Sequence, residues 1–571
     1  MKKVVLSIVV ASVLLLMSCG GENSTSKNDG NGDVINSENN NRLDFAITEK
    51  YHTLDPIKVT NVVSFHIVSQ IYEPLLRFDD KELTLQPLLA ESWSVSEDNL
   101  VVTFKLKKGV HFQDNDCFDN GKGRELKAAD VIYSFKRIYS ESEGNYAYTL
   151  FRGKLKGGED YKISGNELSG LKALDDYTVE FTLNKPSSNF LDLLATVSSA
   201  IVPMEAIEKN AVAGTGPFVY SKSNDTETAI TLLKNENYHI SDKEGNKLPY
   251  LEAVAFNYAK SGQEQLDLFM KNKLDVITGI PPESIKGIVE SQIADFQDKP
   301  VKYVLGRYPQ VSTTFLNLNT AVEPFNNINV RQALGMAINK SKIVDDVLKG
   351  EAYGEGRHGI VPSAIKGYDF SSVVGHEYCM AKAKELLAKA GYPNGKGFPT
   401  LKFAVGKGNT SLRVALEIQK QLLSNLNINV EISSLSLKEI MEANSKSQIH
   451  MSLNGWLAEI PDPITFLSLF YGPDVPGSNE ESSYPNESRY KNSKFDNLYE
   501  EALVAIDTQK RYELCLAADQ IIALEVPVIP LWYHENYQLI QSIVKEYQPN
   551  SMNIQYLTYV KIEEVPVETA K

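Results

Sequence analysis

The residue types that most often do chemistry occur in this chain without the spacing that common metal-binding motifs require. His376 and Glu377 open like the zinc-protease motif HExxH, but no second histidine follows four residues after the first. A zinc site of that kind needs both imidazoles on one helix face. The run from Asp114 to Asp116 begins like a calcium-binding loop, yet Phe118 and Asp119 break its spacing. The sequence therefore predicts no metal site.

Loops that could hold a phosphate or a catalytic nucleophile are also incomplete. The glycine-rich stretch 391–397 follows a predicted helix, whereas a phosphate-binding loop precedes one. The run 214–216, Gly-Thr-Gly, lacks the third glycine of a dinucleotide-binding turn, and no GxSxG motif is present. Because catalytic triads are assembled in space, these absences do not exclude every enzyme. They favour a protein that is not an enzyme and has no cofactor.

The overall charge argues against nucleic acid as a partner. The chain has 571 residues, with 58 Lys and Arg against 73 Asp and Glu, which gives a formal net charge of −15. An acidic surface repels phosphate groups. At about 150 residues per domain, the length predicts three or four domains. The hydrophobic content of 42% is enough to fill several cores.

The N-terminal residues predict export and a lipid anchor. Two lysines precede the apolar run 4–17, which fits a signal peptide and is shorter than the roughly 20 residues of a membrane-spanning helix. The sequence Leu-Met-Ser-Cys-Gly that follows resembles a bacterial lipobox. We predict a signal peptide over 1–18, lipidation of Cys19 and a flexible polar linker over 19–42. An ordinary secretory signal with an incidental cysteine is the alternative.

No later part of the chain resembles a membrane span or a disulfide framework. No later segment reaches about 18 consecutive apolar residues, so we expect the body of the protein outside the bilayer. Besides Cys19, the cysteines are Cys117, Cys379 and Cys515. Three widely spaced thiols allow at most one disulfide, and no CxxC spacing is present. Buried, unreactive thiols are the favoured interpretation.

Hydrophobic periodicity predicts a mixed α/β chain. Alternating apolar residues predict strands near 44–48, 100–107, 177–183 and 228–233, and helical spacing predicts helices over 64–76, 128–139, 329–349 and 380–390. Strand 401–405, helix 412–426 and strand 429–432 form a strand–helix–strand unit. Such a unit predicts parallel pairing of its strands through a right-handed crossover.

Several short motifs, in a fixed order, resemble the family 5 extracytoplasmic solute-binding proteins, the peptide-binding components of ABC importers. Each motif alone is weak, but together they extend over nearly the whole predicted mature chain. They are Leu-Leu-Ala-Glu-Ser-Trp at 88–93, Thr-Phe-Lys-Leu-Lys-Lys-Gly-Val-His-Phe at 103–112, the stretch 128–137, Gly-Thr-Gly-Pro-Phe at 214–218, Asn-Leu-Asn at 317–319, 330–334, 384–393, and Pro-Val-Ile-Pro-Leu at 527–531. One departure is a longer loop over 113–125, which we expect to decorate the surface of one domain.

The resemblance implies an α/β, two-lobed, three-domain, periplasmic-binding-protein-like fold of the class II type with a hinge. The implied first lobe comprises 43–75, 200–312 and 535–571. An accessory domain of that lobe comprises 76–199, and the second lobe comprises 313–534. By position, we place the two chain crossings of the hinge near 312–315 and 532–537. A hinge of this kind concentrates the backbone rotation of closure in a few residues.

The resemblance also implies ligand-binding residues in the second lobe. Peptide-binding relatives hold the ligand's α-ammonium with an Asp three residues after a tryptophan. Trp456 and Glu459 stand at these positions, so the charge is retained on a side chain that is one methylene longer. A solvated loop acid is the alternative for Glu459. Asp462 is a further ligand-binding candidate, although capping of the following helix is favoured for it. Lys407 is the candidate partner of the ligand's carboxylate, with a solvent-exposed lysine as an equally favoured interpretation.

Four further candidate ligand-binding residues lie in the predicted first lobe and at the start of the second. Tyr51 belongs to the irregular segment after the first predicted strand. Thr215, Gly216 and Asn317 belong to the motifs that resemble the family. All four are predicted ligand-binding residues, and their positions relative to Glu459 test the prediction.

The expected function follows from this family resemblance. It implies an exported, membrane-tethered, monomeric protein that captures a short peptide and delivers it to the permease subunits of an ABC importer. An oligosaccharide or a metal chelate is the alternative ligand, because the family includes binders of both. An exported lipoprotein hydrolase and a surface protein for adhesion or sensing are the remaining hypotheses.

Overall fold

The computed structural model describes residues 41–281, 284–285, 287–288, 290, 301–349, 352–479 and 481–563. The predicted signal peptide, Cys19 and all but the last two residues of the predicted linker lie outside the described residues. Within the described part of the chain, no helix has both the length and the apolar composition needed to cross a membrane.

One large mixed sheet joins both predicted lobes. Its eleven strands in the described residues include pairs in both directions. Ten lie side by side in the order Val430–Leu435, Leu401–Gly406, Met451–Leu457, Tyr303–Leu318, Val528–Gln541, Val276–Ile277, Arg42–Ile47, Ala253–Tyr258, Ala229–Lys234 and Phe218–Val219, and Ala352–Glu355 pairs with Val528–Gln541. The second-lobe strands therefore lie at one end of the sheet and the first-lobe strands at the other.

Two long antiparallel strands occupy the middle of this sheet. Tyr303–Leu318 and Val528–Gln541 pair along most of their length. Their register shifts between Pro309 and Thr313 and again between Thr314 and Phe315. Both shifts lie at or beside the crossing predicted at 312–315. Thr313 pairs with Tyr533, so the crossing predicted at 532–537 lies next to them on the partner strand.

The accessory domain contains a separate antiparallel sheet. Its strands lie in the order Ala90–Val95, Val101–Leu106, Thr178–Thr182 and Leu171–Asp175, and a short pair, Leu76–Phe78 with Leu85–Pro87, precedes it. Phe104, Phe135 and Phe181 are fully buried in its core and pack edge to face. Aromatic pairs in this geometry contribute beyond the area they bury, so these rings stabilise the domain, and its core continues into buried second-lobe residues such as Phe466 and Phe495.

Helices cover the sheets on both sides of the molecule. In the described part of the chain, those of four or more residues are Val62–Ile71, Ala128–Ile138, Ala147–Phe151, Gly158–Ser164, Phe190–Leu193, Met204–Glu208, Gly262–Met270, Ile328–Ala337, Met380–Lys389, Asn409–Leu426, Leu437–Ser445, Ile464–Leu467, Ser493–Val504 and Thr508–Glu525, with a π-helical turn at Ile343–Leu348. The strands on either side of Asn409–Leu426 pair in parallel, which confirms the predicted strand–helix–strand unit.

Three predictions about local structure need correction. The helix predicted over 329–349 ends at Ala337, because Ile338 is extended and the Asn339 side chain caps a new short helix. Cys379 is exposed, although Cys117 and Cys515 are buried, and all three are free thiols. The loop 113–125, predicted to be a surface feature of one domain, also contacts the first lobe.

The loop 113–125 joins the accessory domain to the first lobe. Gln113 is buried, and its side-chain amide donates to the carbonyls of Gly216 and Phe218 at 3.0 and 2.7 Å. Phe118 is also buried and stacks on Phe112. Because its polar groups bond to first-lobe backbone, this loop holds the two parts in a fixed contact.

Candidate functional site

A cavity of about 1100 Å³ lies between the lobes. Its walls come from helix Val62–Ile71 and Glu73 in the first lobe, from segment 146–154 in the accessory domain, and from strand Met451–Leu457 with the loops beyond it in the second lobe. Volumes of this order hold ligands of several hundred daltons. A ligand in this cavity would therefore touch both lobes at once.

Glu459 presents a carboxylate to this cavity from the second lobe. It is half-buried, and burial raises the pKa of its carboxyl above the usual value. The hydroxyl of Thr465 donates to Glu459 Oε2, and Trp456 Nε1 donates to Thr465 Oγ1 at 3.2 Å. Among the described residues, no lysine, arginine or histidine forms an ion pair with Glu459. Such a group can accept a cation that a ligand brings.

Glu487 presents a second carboxylate to the same cavity, and sequence reasoning missed it. It lies on the loop after Tyr484 and Pro485, which also line the cavity. Its Oε2 accepts from the side-chain amides of Asn454 at 2.7 Å and Asn444 at 2.8 Å. Burial raises the pKa of its carboxyl. No local motif marks this residue, because its partners are more than thirty residues away in sequence.

Cationic side chains of the accessory domain also line the cavity. Lys154 of the accessory domain donates to Ser187 Oγ and Asn189 Oδ1, both at 2.8 Å, and burial lowers the pKa of its ammonium to about 8. The guanidinium of Arg77 lies over the ring of Tyr556. The cavity thus has carboxylates on its second-lobe wall and cations on its accessory wall.

Arg152 belongs to the same cationic wall but already has a partner across the cavity. Its guanidinium pairs with Asp474 of the second lobe. This ion pair joins the accessory domain to the second lobe.

Asn317 and Trp456 are the other predicted site residues that line the cavity. Asn317 is only 3% exposed, and its Nδ2 has no hydrogen-bond partner among the described residues. It pairs in register with Ser452 on the neighbouring strand. A buried donor left unpaired is costly, so this atom is another group that a ligand can satisfy.

Asp462 lies behind the cavity wall instead of lining it. Arg511 Nε lies 2.9 Å from Asp462 Oδ2, and both side chains are buried. Asp462 Oδ1 also accepts from the backbone N–H of Ile464 at 2.9 Å. The acid therefore fixes the first turn of helix Ile464–Leu467, which carries Thr465. The predicted cap through Phe466 is not formed, because Pro463 is the N-cap residue and the Asp462 bond runs to Ile464.

Lys407 lies on the outer surface, where its side chain is 64% exposed. Its Nζ is 3.6 Å from Glu439 Oε2. Glu439 forms a capping box with Ser436 at the start of helix Leu437–Ser445. Gly406, at the end of the preceding strand, and Ser411, in the first turn of the following helix, do line the cavity, but Lys407 is not among the lining residues.

Tyr51, Thr215 and Gly216 are near the cavity without lining it. The Tyr51 hydroxyl donates to Asp225 Oδ2 at 2.5 Å. Thr215 is fully buried and donates to Glu73 Oε2 at 2.8 Å. A Cβ on Gly216 would lie 2.5 Å from the carbonyl oxygen of Gln70, so only glycine fits there. Thr215 and Gly216 therefore hold the segment that brings Glu73 to the cavity.

The described residues contain no group of three or more His, Cys, Asp or Glu side chains placed to hold a metal ion.

The cavity is more aromatic than the sequence suggested. Besides Trp456, its lining includes Tyr146 and Tyr484, which are 43% and 36% exposed. Flat apolar faces of this kind can stack on rings or cover a ligand's backbone.

Comparisons with known proteins agree with this architecture. The heme-binding protein A of Haemophilus influenzae is 26% identical over 563 residues, which cover 94% of this chain and 95% of that protein. The glutathione-binding protein GsiB of Escherichia coli K12 is 27% identical over 85% of this chain and 88% of that protein.

Solved structures show the same fold. The periplasmic binding protein DppA of Helicobacter pylori, in complex with the peptide STSA, has a TM-score of 0.76 and 27% identity, and the match covers 92% of this chain and 98% of that one. An oligopeptide-binding protein of Borrelia burgdorferi, OppAIV, has a TM-score of 0.75 and 28% identity, over 91% of this chain and 99% of that one.

The two-lobed periplasmic-binding-protein fold predicted from the sequence is therefore confirmed. The model of a protein family, bacterial extracellular solute-binding proteins family 5 (middle part), matches residues 84–478. This range is well over half of the 571 residues. The chain belongs to the family 5 bacterial extracellular solute-binding proteins.

Proposed function

We propose that this protein is an exported lipoprotein that captures short peptides in the interlobe cavity and delivers them to an ABC import permease. The observation that carries the proposal is Glu459, a half-buried carboxylate that faces the cavity without a basic partner among the described residues. A buried charge of this kind is stable only when it is paired. The α-ammonium of a peptide supplies that pair.

The cationic residues of the accessory-domain wall also support a peptide ligand. A peptide carries a carboxylate at its other end, and Lys154 and Arg77 offer positive charge at the cavity, although Lys154 also interacts electrostatically with Asp462. Lys407 stays a candidate for this role only if its loop turns inward. Relatives named for binding glutathione and crystallised with the peptide STSA support the peptide class.

Closure of the lobes would couple capture to delivery. A ligand favours the closed state only through contacts with both lobes, and the cavity walls come from both. The register shifts near Thr313 in the two central strands offer places where the backbone can bend. A lipid on Cys19 would keep the protein near its permease and raise the effective concentration of the complex.

Native mass spectrometry of the protein purified without denaturation tests this function. We expect an added mass that fragments into amino acids after release. Loss of the mass on unfolding and its return with a defined peptide would support non-covalent capture. Release of shortened peptide fragments by the pure protein would instead favour the hydrolase hypothesis.

The lipid anchor has its own test. In cells that express Cys19→Ala, we expect the protein in the soluble fraction, with Cys117→Ala as the matched control that stays with the membrane. A Cys19→Ala protein that remains membrane-bound would contradict lipidation at this residue.

A saccharide is the second candidate ligand. The exposed rings of Tyr146 and Tyr484 in the cavity favour it, because sugars stack on aromatic faces. The same mass measurement separates the two classes, since a saccharide would release hexose-type masses and no amino acids.

A further inference from the structure

The cavity has one more carboxylate than the α-ammonium of a peptide can neutralise. Glu459 and Glu487 both line the second-lobe wall, and both face Tyr484 closely enough to affect its ionisation. Neither has a lysine, arginine or histidine partner among the described residues. Two unpaired acids on one wall of the cavity repel each other, and two positive charges on a ligand would relieve that repulsion.

Glu487 is held in place by neutral donors only. Asn454 and Asn444 both donate to its Oε2, and Asn444 is fixed in turn by Ser452 Oγ at 3.0 Å. Its Oε1 has no donor among the described residues. Amide donors orient a carboxylate without cancelling its charge, so Glu487 keeps one oxygen available to the cavity.

An independent feature on the same wall also indicates a missing ligand group. The buried Nδ2 of Asn317 has no partner, and Asn317 lies in register with Ser452, which bonds to Asn444. This donor needs an acceptor such as a peptide carbonyl. An acceptor from the ligand backbone would then lie beside the acid that receives a positive side chain.

We propose that Glu487 is a specificity-determining residue that binds a basic side chain of the ligand, so that the protein prefers peptides containing lysine or arginine. This rests on the proposed peptide-binding function. Glu459 binds the α-ammonium and Glu487 binds the side-chain cation. The cations Lys154 and Arg77 on the accessory wall remain for the ligand's carboxylate.

Most other acids of the cavity have partners and do not compete for this role. Glu73 accepts from Thr215, Tyr238 and His239 at 2.8 to 2.9 Å. Asp474 pairs with Arg152. Glu49 accepts from Asn61 and lies 3.9 Å from His52 at the exposed rim.

Calorimetry with matched tripeptides tests the proposal on the full chain freed of co-purified ligand. The probes are trialanine peptides with lysine at position one, two or three, each paired with the norleucine peptide of the same sequence. Because a charge-assisted bond replaces an apolar contact, lysine in at least one position should bind about ten- to a hundredfold more tightly. In Glu487→Gln this preference should fall to about threefold or less, with norleucine affinity unchanged.

Two further variants separate this inference from the proposed function. Glu459→Gln should weaken all bound peptides alike and keep the lysine preference, and Glu431→Gln, an exposed acid of the same lobe, should change neither. Equal affinity for lysine and norleucine in the unmodified protein, or a preference that survives in Glu487→Gln, would overturn the role of Glu487 alone. Failure of all six peptides to bind would overturn peptide binding itself and this inference with it.

Discussion

Two carboxylates three residues apart have opposite surroundings in the second lobe. Asp462 is buried against Arg511 and the N–H of Ile464, so its charge and its hydrogen-bonding capacity are used inside the protein. Glu459 faces the cavity, and the one other side chain that donates to it among the described residues is Thr465. The contrast separates an acid that stabilises the fold from an acid that is left for a ligand. Asp462 serves Glu459 indirectly, because it fixes the helical turn that carries Thr465.

The largest expected effect is a loss of unfolding free energy when the Asp462–Arg511 ion pair is broken. Asp462→Asn removes the anion that pairs with Arg511, although Asp192 stays nearby, and loss of one partner of a buried pair costs up to about 3 kcal/mol of unfolding free energy. Urea denaturation measures this loss. The folded fraction should still bind peptide within a few fold of the unmodified protein.

Asp346→Asn, at an exposed site of the same lobe, is the control and should be neutral. An Asp462→Asn protein of unchanged stability that no longer binds peptide would reverse the two assigned roles.

A smaller effect on the unfolding free energy is expected at Asp192, an acid of the accessory domain that lies near the Asp462–Arg511 ion pair. Burial and the nearby Asp462 raise the pKa of Asp192 to about 7. The folded protein therefore holds a proton there between about pH 4 and 7 that the unfolded chain releases, and stability from this group is lost as pH rises through 7. The unfolding free energy of Asp192→Asn should therefore rise by about 2.5 kcal/mol relative to that of the unmodified protein between pH 5 and pH 8.

Thermal or urea unfolding at the two pH values measures this change. A stability difference between the Asp192→Asn and unmodified proteins that is the same at pH 5 and pH 8 would mean that Asp192 does not titrate in this range.

A still smaller stability effect is expected at Glu459, with a sign opposite to that at Asp462. Burial raises the pKa of this acid, so its ionised form destabilises the ligand-free folded protein at neutral pH. Glu459→Gln keeps an acceptor for Thr465 and should raise the unfolding free energy by up to about 1 kcal/mol. A loss of more than that in urea denaturation would show that Glu459 has a structural partner in solution.

The smallest expected effect is at Lys407. Its side chain is exposed and lies near Glu439, and exposed ion pairs contribute about 0–1 kcal/mol. Lys407→Gln should change peptide affinity less than about twofold, as should Lys438→Gln on the neighbouring helix. A tenfold loss of affinity confined to Lys407→Gln would restore the carboxylate-binding role that the family resemblance implied.

Local features of the fold were predictable because their determinants are close in sequence. The strand–helix–strand unit around Asn409–Leu426 and the helix Ala128–Ile138 follow from periodicity over a few turns. The break after Ala337 was missed, because the cap at Asn339 interrupts a pattern that otherwise continues. Gly216 was noticed as part of a motif, but its close approach to Gln70 is a tertiary contact.

The site was predictable only in part for the same reason. Trp456 and Glu459 lie within four residues of one another, so a motif can mark them. Glu487, Lys154 and Arg77 come from separate loops and domains, and only the folded chain brings them to one cavity. The distinction between Glu459 and Asp462 depends on Arg511, about fifty residues further along the chain, and no spacing rule encodes that pair.

Peptide capture by this cavity depends most on a contact between Glu459 and the amino terminus of the bound peptide. Calorimetry on four combinations tests it most directly: unmodified protein and Glu459→Gln, each with a free and an N-acetylated peptide. We expect either single change to weaken binding about ten- to a hundredfold, and the second change to add little, because both delete the same charge-assisted bond. Fully additive losses would contradict the claim, because they would mean that Glu459 and the peptide's ammonium act separately.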